Sequence, residues 1–334
     1  MGALQLGSVD RLVDPAARPL VACVVLSRAR SIPSPAIASW TGADEPALLM
    51  EDRMLMDVIA IGDNMSDFYL TISQVFPGGS AVNVAVAVAR SGGRSAYVGV
   101  VGDDARGRLL MDSLAAERVD TRRLKVVPGR TASCEVMHAS GERLFGPRQR
   151  GVAPFRPTED DLAFTGTASI IHSTFCSGLE DMLPELASRG RVSFDFGDHL
   201  DDGYADRLLP FVHVAEFSAA ALEEWDCAEL ARWAAARGAA YVLVTRGSKG
   251  AMLFDGAISV SVSAAPSVVI DSLGAGDSFI GRALYGLVHG ESAQVLMAAS
   301  ARAAARTCST WGAYGHGVYA STFEAAAARR SSIR

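Results

Sequence analysis

A glycine turn ending in an acid, Asp271-Ser272-Leu273-Gly274-Ala275-Gly276-Asp277, lies between the apolar run Val268-Val269-Ile270, which reads as a strand, and an apolar helical pattern from Ser278 to Leu287. Glycines let backbone N–H groups close on an anion, and a helix N-terminus adds partial positive charge aimed at the same point. The chemistry this allows is phosphate binding at Gly274, Ala275 and Gly276, with Asp277 in the first helical turn. There the helix dipole favours the ionised carboxylate. It could take the proton from a hydroxyl attacking a γ-phosphate, assistance typically worth ~10²–10⁴ in rate. An isolated Gly-x-Gly-Asp also reads as a plain helix cap, and the local sequence leaves both readings open.

Two further turns carry polar groups beside glycine. Thr245-Arg246-Gly247-Ser248-Lys249-Gly250 follows an apolar run ending at Val244 and could border a nucleotide, although Gly-x-x-Gly between strands is also an ordinary hairpin turn. Pro77-Gly78-Gly79-Ser80-Ala81-Val82-Asn83 permits close backbone contact with a polar ligand. Its Asn83, set among valines and alanines, must find hydrogen bonds from a ligand or from backbone.

These turns need strands behind them and helices after them. Asp57 to Gly62 reads as a buried strand, Ala81 to Arg90 as a helix and Ser95 to Val101 as a second strand. Ser169 to His172, Val192 to Asp195, Val212 to Val214 and Tyr241 to Thr245 repeat the strand signal between helix-like stretches. Such alternation predicts an α/β fold, a mostly parallel central sheet with helices on both faces, which binds ligands at the carboxyl ends of its strands. Tyr69 to Phe76 and Ala132 to Gly146 break the rhythm and read as projecting antiparallel strands, the second pair meeting at Ser140-Gly141. They predict a small β lid, with lid strands near 68–77 and 131–147 of a domain spanning 54–322. Residues 1–53 lack sustained periodicity and read as an N-terminal extension, with Met54 or Met56 as an alternative start. Residues 323–334 read as a tail containing the alanine-rich stretch Glu324 to Arg330.

Composition narrows the classes. In 334 residues, 31 basic and 37 acidic side chains give a formal charge of −6 with no long run of one sign, which speaks against a nucleic-acid or membrane surface. Five cysteines without a Cys-x-x-Cys pair fit a reducing, cytoplasmic setting, and no apolar run reaches the ~18 residues of a membrane span. The third glycine of a dinucleotide fingerprint is missing after Gly276, the Gly-x-x-x-x-Gly-Lys loop is absent, and the six histidines form no metal-ligand spacing.

Taken together, Gly78-Gly79-x-x-x-Asn83 and Asp271-Ser272-x-Gly274-Ala275-Gly276-Asp277, with Val101-Gly102-Asp103-Asp104-Ala105-Arg106-Gly107 between them, resemble the signatures of the PfkB, or ribokinase-like, carbohydrate kinases. The likeness runs from about residue 56 to residue 318. It is strongest to the fructoselysine 6-kinase branch, through Ile61-Gly62-Asp63-Asn64, Ser193-Phe194-Asp195-Phe196 and Ile270 to Ile280. The resemblance implies a ribokinase-like fold, ATP with Mg²⁺, and a small sugar or sugar-amine acceptor phosphorylated on a primary hydroxyl. It makes Asp277 the base and Gly274, Ala275 and Gly276 the anion hole. Asp67, Gly78, Gly79 and Asn83 would face the sugar, while Thr245, Gly247, Ser248, Gly250 and Asp271 would face the nucleotide. A homodimer through the lid strands is also implied. Other sugar kinases of the family, or a relative that binds without turnover, are the alternatives.

The sequence departs from the family pattern in two places. Ser218-Ala219-Ala220-Ala221 stands where many members carry Asn-x-x-Glu for water-mediated Mg²⁺ binding, which leaves Glu223 or Glu224 as indirect metal candidates. Phe194-Asp195-Phe196-Gly197-Asp198-His199 replaces the Phe-Asp-Pro-Asn-x-Arg of many fructokinases and argues against simple fructose. After the second lid strand come Arg148 and Arg150, whose guanidinium forks suit a carboxylate on the substrate's amine part. Two solvated arginines on a loop are the plainer reading.

Overall fold

The structure, a computed structural model, describes residues 56–139, 142–200 and 202–323. The expected 1–53 extension, the Ser140-Gly141 turn and the stretch from Glu324 onward lie outside the described residues. β1 (Met56–Ile61), β2 (Met65–Tyr69) and β3 (Gln74–Gly78) lead into α1 (Ser80–Arg90), followed by β4 (Ser95–Gly102), α2 (Ala105–Ala116) and β5 (Asp120–Val127). β6 (Ser133–Ala139) and β7 (Glu142–Gln149) come next, then α3 (Glu159–Thr165), β8 (Ala168–Thr174), α4 (Leu183–Arg189) and β9 (Val192–Asp195). α5 (Asp202–Leu208), β10 (Val214–Ser218), α6 (Glu224–Ala235) and β11 (Tyr241–Thr245) continue the alternation. β12 (Ala251–Phe254), β13 (Ser259–Val262), α7 (Ala275–Val288), α8 (Ala293–Cys308) and β14 (Val318–Tyr319) follow.

The larger sheet runs β13-β12-β11-β10-β9-β8-β1-β4-β5 and is parallel from β11 to β5, with β12 and β13 antiparallel at one edge. Alternate residues of β1 show how it is covered on both sides. Ile59 and Ile61 pack with Leu162 of α3, Leu186 of α4 and Ala231 of α6. Val58 packs with Val84 and Val88 of α1, Ile280 and Leu284 of α7 and Leu296 of α8. Because both faces are apolar, the strand reads as a continuous hydrophobic run rather than an alternating one. The chain leaves β1 toward β4 and β5 on one side and returns through β8 on the other. This reversal opens a crevice at the strand ends.

The smaller sheet runs β14-β3-β2-β6-β7. β2–β3 and β6–β7 are antiparallel as expected, but β2 and β6 join in parallel, which the sequence did not indicate because the pairing is non-local. The run Val268-Val269-Ile270, read as a strand, is none. Val268 and Val269 are 80% and 67% exposed, and Ile270 N–H donates to the Cys308 carbonyl instead of a ladder. β-branched composition there reflects an extended apolar surface, not pairing.

Candidate active site

α7 begins at Gly274, whose φ of 74° is left-handed and whose missing Cβ would otherwise collide with Ala313. Only glycine turns the chain there without strain, and the turn brings Gly274 and Gly276 to the cavity wall, while Ala275 N–H donates to the Ser272 carbonyl (3.3 Å). Gly276 has open space beside it, with no atom within 4 Å of where a Cβ would stand. Asp271 supports this loop from behind. It is 2% exposed; its Oδ1 accepts from Leu273 N (3.0 Å), and its Oδ2 accepts from the Tyr69 hydroxyl (2.5 Å) and Gly312 N (3.0 Å). These contacts make it a brace between the lid, the turn and the segment after α8.

Asp277 projects from the first turn of α7 toward α1. Ser80 Oγ donates to its Oδ1 (2.7 Å) and Asn83 Nδ2 donates to its Oδ2 (2.7 Å). A carboxylate only accepts, so Asn83 must present its amide N–H₂ to Asp277 and turn Oδ1 away. That Oδ1 is buried without a partner among the described residues, an arrangement that a ligand hydroxyl could complete. α1 is held in place by Asp63: its carboxylate accepts from Ser80 N (2.7 Å), Ala81 N (3.2 Å), Thr174 Oγ1 (2.9 Å) and Ser177 Oγ (3.1 Å). Gly79, at φ 106° against the Asn64 backbone, lets α1 start this close to β2. Asp63 caps α1 from a distance of seventeen residues, a long-range contact with no local sequence signal.

Asp277, Gly274 and Gly276 share one cavity of about 1010 Å³ with Asp67, Gly79, Asn83, Arg148 and Arg150. Asp67 is buried on β2, near Gly78, whose Cβ position would lie 2.8 Å from Asp67 Oδ2. Arg148 stacks over the Phe145 ring at 5.2 Å. Thr245, Gly247, Ser248 and Gly250 lie at the carboxyl end of β11, outside this cavity, in the turn that joins antiparallel β11 and β12. Glu223 and Glu224 are apart from it as well. Glu223 pairs with Lys249 (3.2 Å) and caps α6, and Glu224 accepts from Ser261 Oγ (2.8 Å).

The group that sequence reasoning left unassigned is Asp195, at the end of β9 and in the wall of the same cavity. Its Oδ1 accepts from Gly197 N (2.8 Å), and its other oxygen has no hydrogen-bond partner among the described residues. Burial first, then the charges of Asp277 and Asp63, push its carboxyl up to about 7, against the local hydrogen bond from Gly197. Ser218, at the end of β10, donates its N–H to the Gly197 carbonyl (2.7 Å) and also lines the cavity. Below them, His172 Nδ1 meets Ser193 Oγ (2.8 Å), which donates to Glu216 Oε1 (2.5 Å). Burial lowers His172 to about 3 and raises Glu216 well above the carboxylate range. This network is wholly buried.

Comparison with known proteins bears on the family and the fold. Residues 51–316 match the model of the pfkB family carbohydrate kinases. The chain is 36% identical to fructosamine kinase FrlD of Bacillus subtilis over 267 residues, 78% of this chain and 94% of that protein. It is likewise 36% identical to fructoselysine 6-kinase of Escherichia coli over 256 residues, 76% of this chain and 98% of that protein. In fold it is similar to Arabidopsis thaliana ribokinase complexed with ribose and ATP, with a TM-score of 0.69 at 21% identity, covering 81% of this chain and 98% of that one. With two sheets in the ribokinase-like arrangement and this match over most of its length, the chain belongs to the pfkB family of ATP-dependent carbohydrate kinases.

Proposed function

We propose that this sugar kinase phosphorylates a primary hydroxyl of a sugar-amine conjugate of the fructoselysine type, using ATP, with Asp277 as general base. The observation that carries the reading is Asp277 itself: held by Ser80 and Asn83, it stands in one cavity with Asp67, Gly79 and the glycine turn. Asp67, Gly79 and the free Oδ1 of Asn83 orient sugar hydroxyls, and the bound hydroxyl is presented to Asp277. Asp277 takes its proton as the hydroxyl oxygen bonds to the γ-phosphorus and the bond to the ADP oxygen breaks. Backbone N–H groups of Gly274, Ala275 and Gly276 stabilise charge on the transferring phosphoryl group. Thr245 and the Gly247–Gly250 turn border the nucleotide at the neighbouring strand end. The lid excludes water, which limits hydrolysis of ATP.

The residues present suit Mg²⁺ through Asp195 rather than through Glu223 or Glu224. Its oxygen without a partner among the described residues, in the cavity wall that Ser218 and Asp277 also line, would be a hard oxygen ligand for a hydrated cation. When bound, the ion offsets phosphate charge.

Support for the substrate comes from the relatives named fructosamine kinase and fructoselysine 6-kinase and from Arg148 and Arg150 at the cavity mouth. Their guanidinium groups fit a carboxylate on the amine part. The test is coupled ADP release with fructose, a nucleoside and glycated acidic, neutral and basic amino acids. Glycated amino acids should be preferred, acidic ones most, and faster turnover of fructose or the nucleoside would refute the reading. In Asp277→Asn, ATP should still bind by calorimetry while kcat falls by roughly 10²–10⁴. Turnover at the wild-type rate would falsify Asp277 as the base.

A further inference from the structure

The cavity mouth carries charge of both signs. Arg148 and Arg150 come from the lid, on β7 and just after it, while Glu180 and Asp198 come from the main sheet, in the segments after β8 and β9. Two contacts bring the acids together: the ring of His199, next to Asp198, lies 5.0 Å from the Tyr204 ring, and the Tyr204 hydroxyl donates to Glu180 Oε1 (2.9 Å). A ligand whose reacting hydroxyl sits at Asp277 shares its cavity with Glu180, Asp198 and Arg148. Tyr204 fixes one oxygen of Glu180, and the other has no partner among the described residues. Deeper in the same cavity, the unpartnered Oδ1 of Asn83, a side chain more than nine-tenths buried, independently calls for a bound polar ligand.

We propose that Glu180 and Asp198 form a subsite for the ammonium group of the substrate, in the cavity that the arginine pair also lines, so that the site selects a zwitterionic amino-acid head. This rests on the sugar-amine reading above and deepens it. An ammonium is donor-only and a carboxylate acceptor-only, so the pair gains charge-assisted hydrogen bonds that a neutral sugar cannot supply. The ammonium has two sources: the nitrogen that joins sugar to amino acid, and the free α-ammonium of a conjugate linked through a side-chain amine.

Four probes separate the cases: N-(1-deoxyfructosyl)glycine, its analogue with ether oxygen in place of the nitrogen, ε-glycated lysine and its des-ammonium analogue. Binding is measured by calorimetry and turnover by coupled ADP release. In the wild type the ether analogue should bind about tenfold or more weakly than the glycine conjugate. Glu180→Gln and Asp198→Asn should shrink that ratio, with KM moving more than kcat. Tyr204→Phe, which leaves the charge in place, should shrink it less. Ratios taken within one variant do not depend on how much of it folds. A ratio that shrinks only for ε-glycated lysine against its des-ammonium analogue assigns the subsite to the α-ammonium. Equal binding within each pair by the wild type, or ratios for both pairs unchanged in both charge variants, overturns the subsite while the sugar-amine reading stands. A wild type that binds none of the four, yet phosphorylates a plain sugar, overturns that reading and the subsite with it.

Discussion

Asp195 is enclosed at a strand end with Asp277 beside it, and its ionisation works against folding in the absence of a cation. Its carboxyl is raised from 3.8 to about 7 in the folded protein. Between those pH values the folded state holds a proton that the unfolded chain has released, so stability falls as pH rises from about 4 through 7. Asp195→Asn removes the cost. Urea unfolding in EDTA should show the variant more stable than wild type by on the order of a few kcal/mol at pH 8 and nearly equal to it below pH 4. A difference independent of pH would contradict the assignment. The same variant should need more Mg²⁺ for half-maximal turnover, since the cation that offsets the charge loses its anchor. Glu216 shows the limit of reading residues singly. In sequence it is an acid inside an apolar run; in the fold it is buried beside Ser193 and His172 and held neutral.

At the level of elements, the start of α1 and the start of α7 form one unit, joined where Ser80 and Asn83 meet Asp277 and anchored by Asp63. Gly274→Ala forces an L-residue into φ 74° against Ala313 and should cost about 1–3 kcal/mol in chemical unfolding. Nucleotide affinity should fall with it. Asp63→Ala removes the cap of α1 and should cost about 1–2 kcal/mol, with a rise in sugar KM because Asn83 loses its register; an unchanged KM would detach Asp63 from the site. The two glycine turns and Asn83 were legible in the sequence because each is a local demand: a left-handed turn, a close approach, a polar group among apolar ones. β9 and β11 were legible for a similar reason, as short apolar runs between breakers. Asp63 and Asp195 were not, since what makes them functional is a partner far away in the chain. Val268 to Ile270 misled because composition reports a preference for extended backbone and says nothing about whether a neighbouring strand is there to pair with.

For the whole molecule, the cavity is closed by two bodies, the strand ends of the parallel sheet and the lid, so a ligand that touches both should tighten one against the other. Hydrogen exchange should show a sugar-amine conjugate slowing β6 and β7, and ATP slowing the Gly247–Gly250 turn and the first turn of α7; protection of the lid by ATP alone would place the nucleotide elsewhere. The parallel sheet was readable from strand and helix alternation. The lid's assembly was not, because β14 comes from beyond α8 to pair with β3, and β2 joins β6 across the whole first lobe of the sheet. β14 has one more consequence. By occupying the outer side of β3 it leaves β7, paired with β6 on its inner side, as the lid's other margin, with no further strand on its outer side among the described residues. Any chain that adds a strand to this lid must do so alongside Phe145 and Arg148, residues that also line the cavity. Self-association and substrate capture would then be a single linked equilibrium, and whatever affinity one gains from the other must be returned in equal measure.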